Sequence, residues 1–390
     1  MTRDELIKHT ILCHESKFGK RPAFAAYAPG RVEVLGNHTD YNEGFVLSAA
    51  VDAGICFVLS PCREGITLHA SDLNESAKAS LETLDLPGGW ANYIIGVLIE
   101  LQKLGAPLTG FDATFSGSIP KGAGLSSSAA LETATALAVM AGGGFALPKL
   151  DIAKLCQRAE MDAVGVRCGL LDQISSLYGK ADALIHTDFR TLDVTTVPFP
   201  ADEEFLICDT GVKHSLVDSE YNSRRAQCET ARDFFAERLK HPVSALRDVS
   251  PAEFSALCSE LDGEVARRAA HVVGENDRVA RGVELLKAGD LTAFGELMFE
   301  SHESSVHNFE NSCEELDCVV SAAREAGALG ARLSGGGFGG SAVVLVPKKQ
   351  EETITAKMKS AFASKYERSL TVRAAVPSAG AGIIQIPGEF

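Results

Sequence analysis

The 390-residue chain reads as an α+β protein of two domains. Three observations carry that reading: strand-like and helix-like runs are mixed through the first half, a second set of both starts near residue 200, and no segment between them is rich enough in glycine, serine or proline to act as a flexible linker. We place the domains at 1–200 and 201–390 and expect them to pack directly on each other.

Taken in order, MTRDELIKHTILCHESKFGK has acidic residues early and no apolar signal core, so it reads as an amphipathic helix. Runs at 24–35, 54–60 and 66–70 read as strands, followed by a helix from near Trp90 and a strand near 111–116. Helical segments run from about Leu147 to Tyr178, with strands at 183–185 and 192–198. PFPADEE is a turn signal, and FLICDTGV after it opens the second block as a new strand. Long charged helices cover Tyr221 to Leu239 and Val265 to Lys287. There is no internal repeat and no low-complexity tract.

The composition, 45% hydrophobic and 23% charged, is that of an ordinary globular protein, and 390 residues suffice for two cores. A net charge of −15 argues against nucleic acid and anionic membrane as main partners, although a locally basic cleft could still take an anionic substrate. The longest apolar stretch, around Ala134 to Leu147, is broken by Gly142, Gly143 and Gly144 and is too short to span a bilayer. We expect a cytoplasmic protein. Ten cysteines without a C-x-x-C pair suit reduced thiols.

Three segments carry chemistry. In PKGAGLSSSAALE, Gly122, Ala123 and Gly124 let the backbone come close to a ligand, and Ser126, Ser127 and Ser128 open an Ala-rich helix. Unpaired N–H groups at a helix start and serine hydroxyls can hold phosphate or a metal; the same residues could also serve as a helix cap. No G-x-x-x-x-G-K-[ST] phosphate loop occurs. The second segment, LSGGGFGGSAVVLVP, holds a G-x-G-x-x-G at Gly335, Gly337 and Gly340, but a β-branched run follows the glycines where a dinucleotide site needs a helix. We read it as backbone packed tightly on another loop or a ligand. In the third, APGRVEVLGNHTDYNEG, alternation makes a strand with Arg31 and Glu33 on one face, ending at Gly36. The polar residues Asn37, His38, Thr39, Asp40, Tyr41 and Asn42 then suit a polyhydroxylated ligand or a solvated turn.

In this order the segments resemble the GHMP family of small-molecule kinases, in particular its galactokinase branch. The resemblance covers nearly the whole chain: GRVxxxGxHTDYNxG, WANY at Trp90 to Tyr93, PxGAGLSSSA, CGLLDQ at Cys168 to Gln173, YNSRRAQCE at Tyr221 to Glu229, ESHxS at Glu300 to Ser304, and SGGGFGG. It implies an N-terminal ribosomal-protein-S5-like α+β domain and a C-terminal ferredoxin-like α+β domain with the active site between them. It also implies transfer of the γ-phosphoryl group of ATP to the anomeric hydroxyl of galactose, with Mg²⁺. We expect a monomer. By this resemblance Asp172 is the catalytic aspartate and Arg31 its cationic neighbour. Asn37, His38, Asp40, Gly169 and Tyr221 contact the sugar. Gly122, Ala123, Gly124, Leu125, Ser126, Ser127 and Ser128 cradle phosphate, Trp90 walls the adenine side, and Ser128 and Glu160 hold Mg²⁺.

One departure stands out. The family's GRVNLIGEHTDYN is GRVEVLGNHTDYN here, so the Asn and Glu positions are exchanged as Glu33 and Asn37. In the family the acidic residue at the position of Asn37 contacts the sugar near C6, so the change leaves room for a sugar with a C6 carboxylate, such as galacturonic acid. Along an extended strand Glu33 would lie about 13 Å from position 37, too far to replace the missing carboxylate, and would pair with Arg31.

Overall fold

The computed structural model describes residues 1–386 except 64, 121, 123, 167 and 213–216. Its strands are β1 (Phe24–Leu35), β2 (Phe45–Pro61), β3 (Ile66–Ala70), β4 (Glu75–Ala79), β5 (Phe111–Gly117), β6 (Ala183–Asp188), β7 (Asp193–Pro198), β8 (Glu203–Asp209), β9 (Gly330–Leu333), β10 (Ser341–Pro347), β11 (Thr371–Ala375) and β12 (Gly382–Ile384). Its helices are α1 (Arg3–Phe18), α2 (Ala91–Lys103), α3 (Ser127–Gly143), α4 (Lys149–Ala159), α5 (Leu171–Tyr178), α6 (Val217–Arg238), α7 (Pro251–Leu257), α8 (Gly263–Ala288), α9 (Leu291–Ser304), α10 (Glu314–Ala326) and α11 (Glu351–Lys365).

The first sheet has eight strands, ordered β12-β1-β2-β5-β3-β4, with β6 also on β2 and β7 on β6. Among the described residues only β3 and β5 pair in parallel. β2 is long enough to serve two neighbours, pairing β6 over Phe45 to Ser48 and β5 over Ile55 to Pro61. β1 is buried almost throughout, the pattern of a strand covered on both faces, and this places Arg31 and Glu33 inside the protein. The second sheet, β11-β8-β10-β9, is antiparallel. The sheets fall on either side of residue 200 except for β12, which returns from the end of the chain to pair with β1.

Period-two alternation splits the second sheet between two cores. Phe205, Ile207, Val343 and Leu345 face β1 and β2, where they meet Val32, Val34, Leu47 and Ala49 together with Val279 and Phe294 of α8 and α9. Leu206, Cys208, Ala342 and Val344 face the other way, onto α10 and α11. The halves therefore share one apolar layer, as the absence of a linker leads one to expect. Across the first sheet, α2 to α5 form the opposite layer, where the small side chains of Ala130 and Ala134 on α3 share a core with Ala26, Ala28 and Phe57. α1, started by a Thr2–Glu5 capping box, buries Leu6 and Ile11 against Tyr27 and Val58. All ten cysteines are free.

Candidate active site

β1 ends at Gly36, whose φ of +97° turns the chain sharply; a side chain there would strike the Phe45 carbonyl. The loop after it, 37–44, is held largely by the C-terminal half. Glu275 of α8, fully buried, accepts the N–H groups of Gly36 at 2.8 Å and Asn37 at 2.9 Å and pairs with Arg278 at 2.6 Å. Burial works against its charge, but Arg278, Arg332 and the Asn37 N–H together hold the Glu275 carboxyl well below the usual carboxylate range. Removing it leaves a half-buried arginine and two buried backbone donors unpaired. Glu275→Ala is therefore expected to lower stability by about 3 kcal/mol or more, seen as a lower urea midpoint, and an unchanged midpoint would refute this role.

The loop lines a cavity of about 340 Å³ together with Arg31, Glu33, Gly169, Asp172 and Tyr221. A second cavity, of about 490 Å³, is walled by Gly122, Gly124, Ser126 and the glycine segment Ser334 to Ser341. Arg31, Gly335 and Gly336 belong to both, so the cavities adjoin. At their junction Asp172 Oδ1 accepts from Arg31 Nε at 2.7 Å and lies 2.6 Å from Arg31 Nη2, and Asp172 Oδ2 accepts from the Ser126 hydroxyl. Arg31 Nη1 reaches the Gly124 carbonyl at 2.7 Å and its backbone N–H the Leu125 carbonyl at 3.1 Å. Ser126, at φ +53°, thus hangs its hydroxyl on the same carboxylate that Arg31 grips. One carboxylate ties the phosphate-type loop to the sugar-type cavity. It sits in the first turn of α5, where the helix dipole favours negative charge.

Within the first cavity His38 is fixed rather than free. Its Nε2 faces the Gly336 carbonyl at 3.1 Å and so carries the proton, and Nδ1 accepts from the Tyr41 hydroxyl at 3.0 Å. Burial, helped by nearby His271, takes the ring down to about 3, so it is neutral at physiological pH. The rings of Tyr221 and Phe309 stand 5.3 and 4.4 Å from it. Gly169 lies against Asp40, and any side chain at 169 would collide with the Asp40 carboxylate. Burial pushes the Asp40 carboxyl up to about 7, with the charges of Glu33 and Asp172 adding to the shift. Sugar hydroxyls donate to the ionised form. KM for the sugar is therefore expected to be level above about pH 7 and to rise as pH falls below it; a flat profile between pH 5.5 and 8 would remove Asp40 from the contacts.

Glu160 starts the π-helical turn Glu160–Val164 after α4 and is buried next to Ser128, whose hydroxyl it meets. Burial raises its carboxyl, and the Asp172 charge adds to this. Gln173 donates to Glu160 at 3.1 Å and to Glu132 at 3.2 Å, and Glu132 Oε1 is buried without a partner. A hydroxyl beside a carboxylate that gains from a nearby cation is a hard oxygen donor set, as Mg²⁺ prefers. Among the described residues no three acidic, histidine or cysteine side chains gather into a metal site.

The family model for the GHMP kinases N terminal domain matches residues 92–180, that for the GHMP kinases C terminal matches 283–364, and the galactokinase galactose-binding signature matches 12–61. The galactokinase of Streptomyces coelicolor is 41% identical over 374 residues, covering 93% of this chain and 95% of that protein. The chain belongs to the galactokinases of the GHMP kinase family. The galactokinase of Thermotoga neapolitana is 39% identical over 346 residues, 88% of this chain and 95% of its own length. The galactokinase of Lactococcus lactis, solved with galactose, superposes with a TM-score of 0.90 at 30% identity over 96% of this chain and 99% of its own. A mevalonate kinase, at 20% identity and TM-score 0.62 over 90% of this chain and 98% of its own, shares the fold.

Measured against the sequence expectations, this galactokinase-family chain brings Arg31, Asn37, His38, Asp40, Gly169, Asp172 and Tyr221 around one cavity and Gly122, Gly124 and Ser126 around the next. Leu125 is buried behind them, Ser127 is exposed and Ser128 half-buried. Ala123 lies outside the described residues. Trp90 lines neither cavity: its Nε1 donates to Glu75 at 2.8 Å and its ring meets Phe115 edge-on. Glu33 corrects two expectations. It is not remote from position 37, since Asn37 Nδ2 donates to Glu33 Oε1 at 2.8 Å, and its partner is Arg332 at 3.0 Å rather than Arg31. The turn at Gly36 folds the loop back, so extended-strand spacing does not apply. The sequence reading also missed Glu275 and Asn311, which hold the loop from the other half, and Arg332, which holds Glu33; the local signal was the glycine segment, whose Gly335 and Gly336 carbonyls accept from Asn37 and His38.

Proposed function

We infer that this chain transfers the γ-phosphoryl group of ATP to the anomeric hydroxyl of D-galactose, giving α-D-galactose 1-phosphate and ADP. The observation that carries the reading is the Arg31–Asp172–Ser126 bridge at the junction of the two cavities. Phosphoryl transfer asks mostly for positioning and charge neutralisation, and this junction offers both. Asp172 accepts from the anomeric hydroxyl and takes its proton late, as the new bond makes that proton acidic. Arg31 balances charge on the carboxylate and on the group in transit.

His38, Asp40, Gly169 and Tyr221 shape the sugar end. Gly122 to Ser128 cradle the phosphates, and Trp90 is assigned to the adenine side from the family resemblance alone. Ser128 and Glu160 would hold Mg²⁺, which when bound neutralises charge on the phosphate oxygens. No helix among the described residues is long and apolar enough to cross a membrane. We propose a cytoplasmic monomer. A sugar with a C6 carboxylate fits less well than galactose, because Glu33 lines the cavity with the same charge. A non-catalytic sugar sensor is disfavoured by the intact Ser126 to Ala130 run and by Asp172 and Glu160 in place.

The test is ADP release from the purified protein with Mg²⁺, ATP and one sugar at a time: galactose, galacturonate, N-acetylgalactosamine, glucose or arabinose. Galactose is expected to be turned over best. Faster turnover of galacturonate would overturn the substrate, and no stimulation by any sugar would overturn the activity.

A further inference from the structure

We propose that Glu33 is a specificity-determining residue, its Oε2 accepting a hydroxyl of the sugar at the end of the cavity away from the anomeric oxygen, with Asn37 and Arg332 as its positioning residues. The inference rests on the galactose reading above for the identity of the sugar.

Glu33 and Arg31 are two residues apart on a regular stretch of β1, where Arg31 pairs with Ala50 and Glu33 with Ser48. Both point into the cavity, about 7 Å apart along the strand. With Arg31 on Asp172 marking the reacting end, Glu33 falls at the opposite side of a pyranose. Its Oε1 is spoken for, accepting from Asn37 Nδ2 at 2.8 Å and Arg332 Nη1 at 3.0 Å. Its Oε2 accepts from no described residue, yet it is not among the sealed polar atoms left without a partner, so it opens on the cavity that Glu33 lines.

Asn37 has little left to offer a ligand. Its side-chain amide donates to Glu33 and, at 2.8 Å, to the Gly335 carbonyl, and its Oδ1 accepts from Asn311 at 3.0 Å. Arg332, fully buried, balances the Glu33 charge. The exchange of Asn and Glu between positions 33 and 37 thus keeps a carboxylate–amide pair in the cavity with its members traded. A carboxylate oxygen accepts only, so it selects a neutral sugar with a hydroxyl there, at C4 or C6, and disfavours an anionic one.

The experiment compares galactose, 4-deoxygalactose and 6-deoxygalactose, by calorimetric binding and by steady-state kinetics, in the wild type and in Glu33→Gln. The wild type is expected to prefer galactose over one deoxy sugar by about tenfold or more, carried by KM, and Glu33→Gln to lose most of that preference with KM for ATP held. An equal loss on all three sugars, leaving the preference intact, would reduce Glu33 to a structural role and overturn the proposal.

Should Glu33→Gln not fold, the exchange itself is the test. Asn37→Glu alone sets two carboxylates against each other and is expected to weaken sugar binding by about a hundredfold, whereas adding Glu33→Asn is expected to recover most of the loss. Equal losses in the single and double variants would refute the pairing. Binding separates this proposal from the activity: Glu33-dependent binding of galactose without turnover would sink the kinase reading and leave this one standing.

Discussion

Asp172→Asn is expected to lower kcat with galactose by about a thousandfold while leaving nucleotide binding in place. The amide keeps the shape of the side chain and one oxygen for Arg31, but it removes the charge that Arg31 balances, puts an NH2 where Oδ2 accepts from the Ser126 hydroxyl, and cannot take the anomeric proton. Arg31 retains its bond to the Gly124 carbonyl, and the loop around it should therefore survive the change. Turnover is read by coupled ADP release, ATP affinity by calorimetry, and folding by the thermal midpoint. A kcat within threefold of wild type, in a folded variant, means that the carboxylate has been assigned the wrong task.

The second large effect is expected at Gly169. Its backbone φ lies outside the left-handed region, so a larger residue is not barred by conformation. It is barred by contact, since Asp40 fills the space a side chain would need. Gly169→Val should therefore displace Asp40 and the loop behind it, raising KM for galactose by about a hundredfold with KM for ATP nearly unchanged. An unaltered sugar KM would show that Asp40 and Gly169 do not shape the sugar end of the cavity.

The strands that alternation or β-branched runs mark were legible in the chain, and β1 and β3 lie where the pattern puts them. The first part of β2 was not read, because Phe45 to Ala53 mixes Ser48 and Asp52 into an apolar run that owes its form to β1 and β6 on either side. α9, α10 and α11 went unread as well. Yet α10 and α11 do carry apolar residues at helical spacing, Leu316, Val319, Val320 and Ala323 in the first and Ile354, Met358 and Phe362 in the second, so the signal was present in the chain.

In the site, the shared face of Arg31 and Glu33 followed from period two. The contact of Glu33 with Asn37 did not, since it depends on one left-handed glycine. The residues that hold the loop and Glu33 in place, Glu275, Asn311 and Arg332, lie more than 200 positions away, at a distance local patterns do not reach. The glycine segment was the one visible sign of them, and its failure as a dinucleotide fingerprint was informative: β9 precedes it and β10 follows, so it is a hairpin loop whose carbonyls clasp the sugar loop.

The central claim is that Asp172, gripped by Arg31, directs the γ-phosphoryl group of ATP to the anomeric oxygen of galactose. The most direct measurement is phosphorus and proton NMR of the products formed from ATP, Mg²⁺ and galactose by wild type and Asp172→Asn. The account predicts one phosphomonoester coupled to the anomeric proton of the α sugar from the wild type and almost none from the variant. A phosphate on any other hydroxyl, or equal product from both proteins, would contradict it.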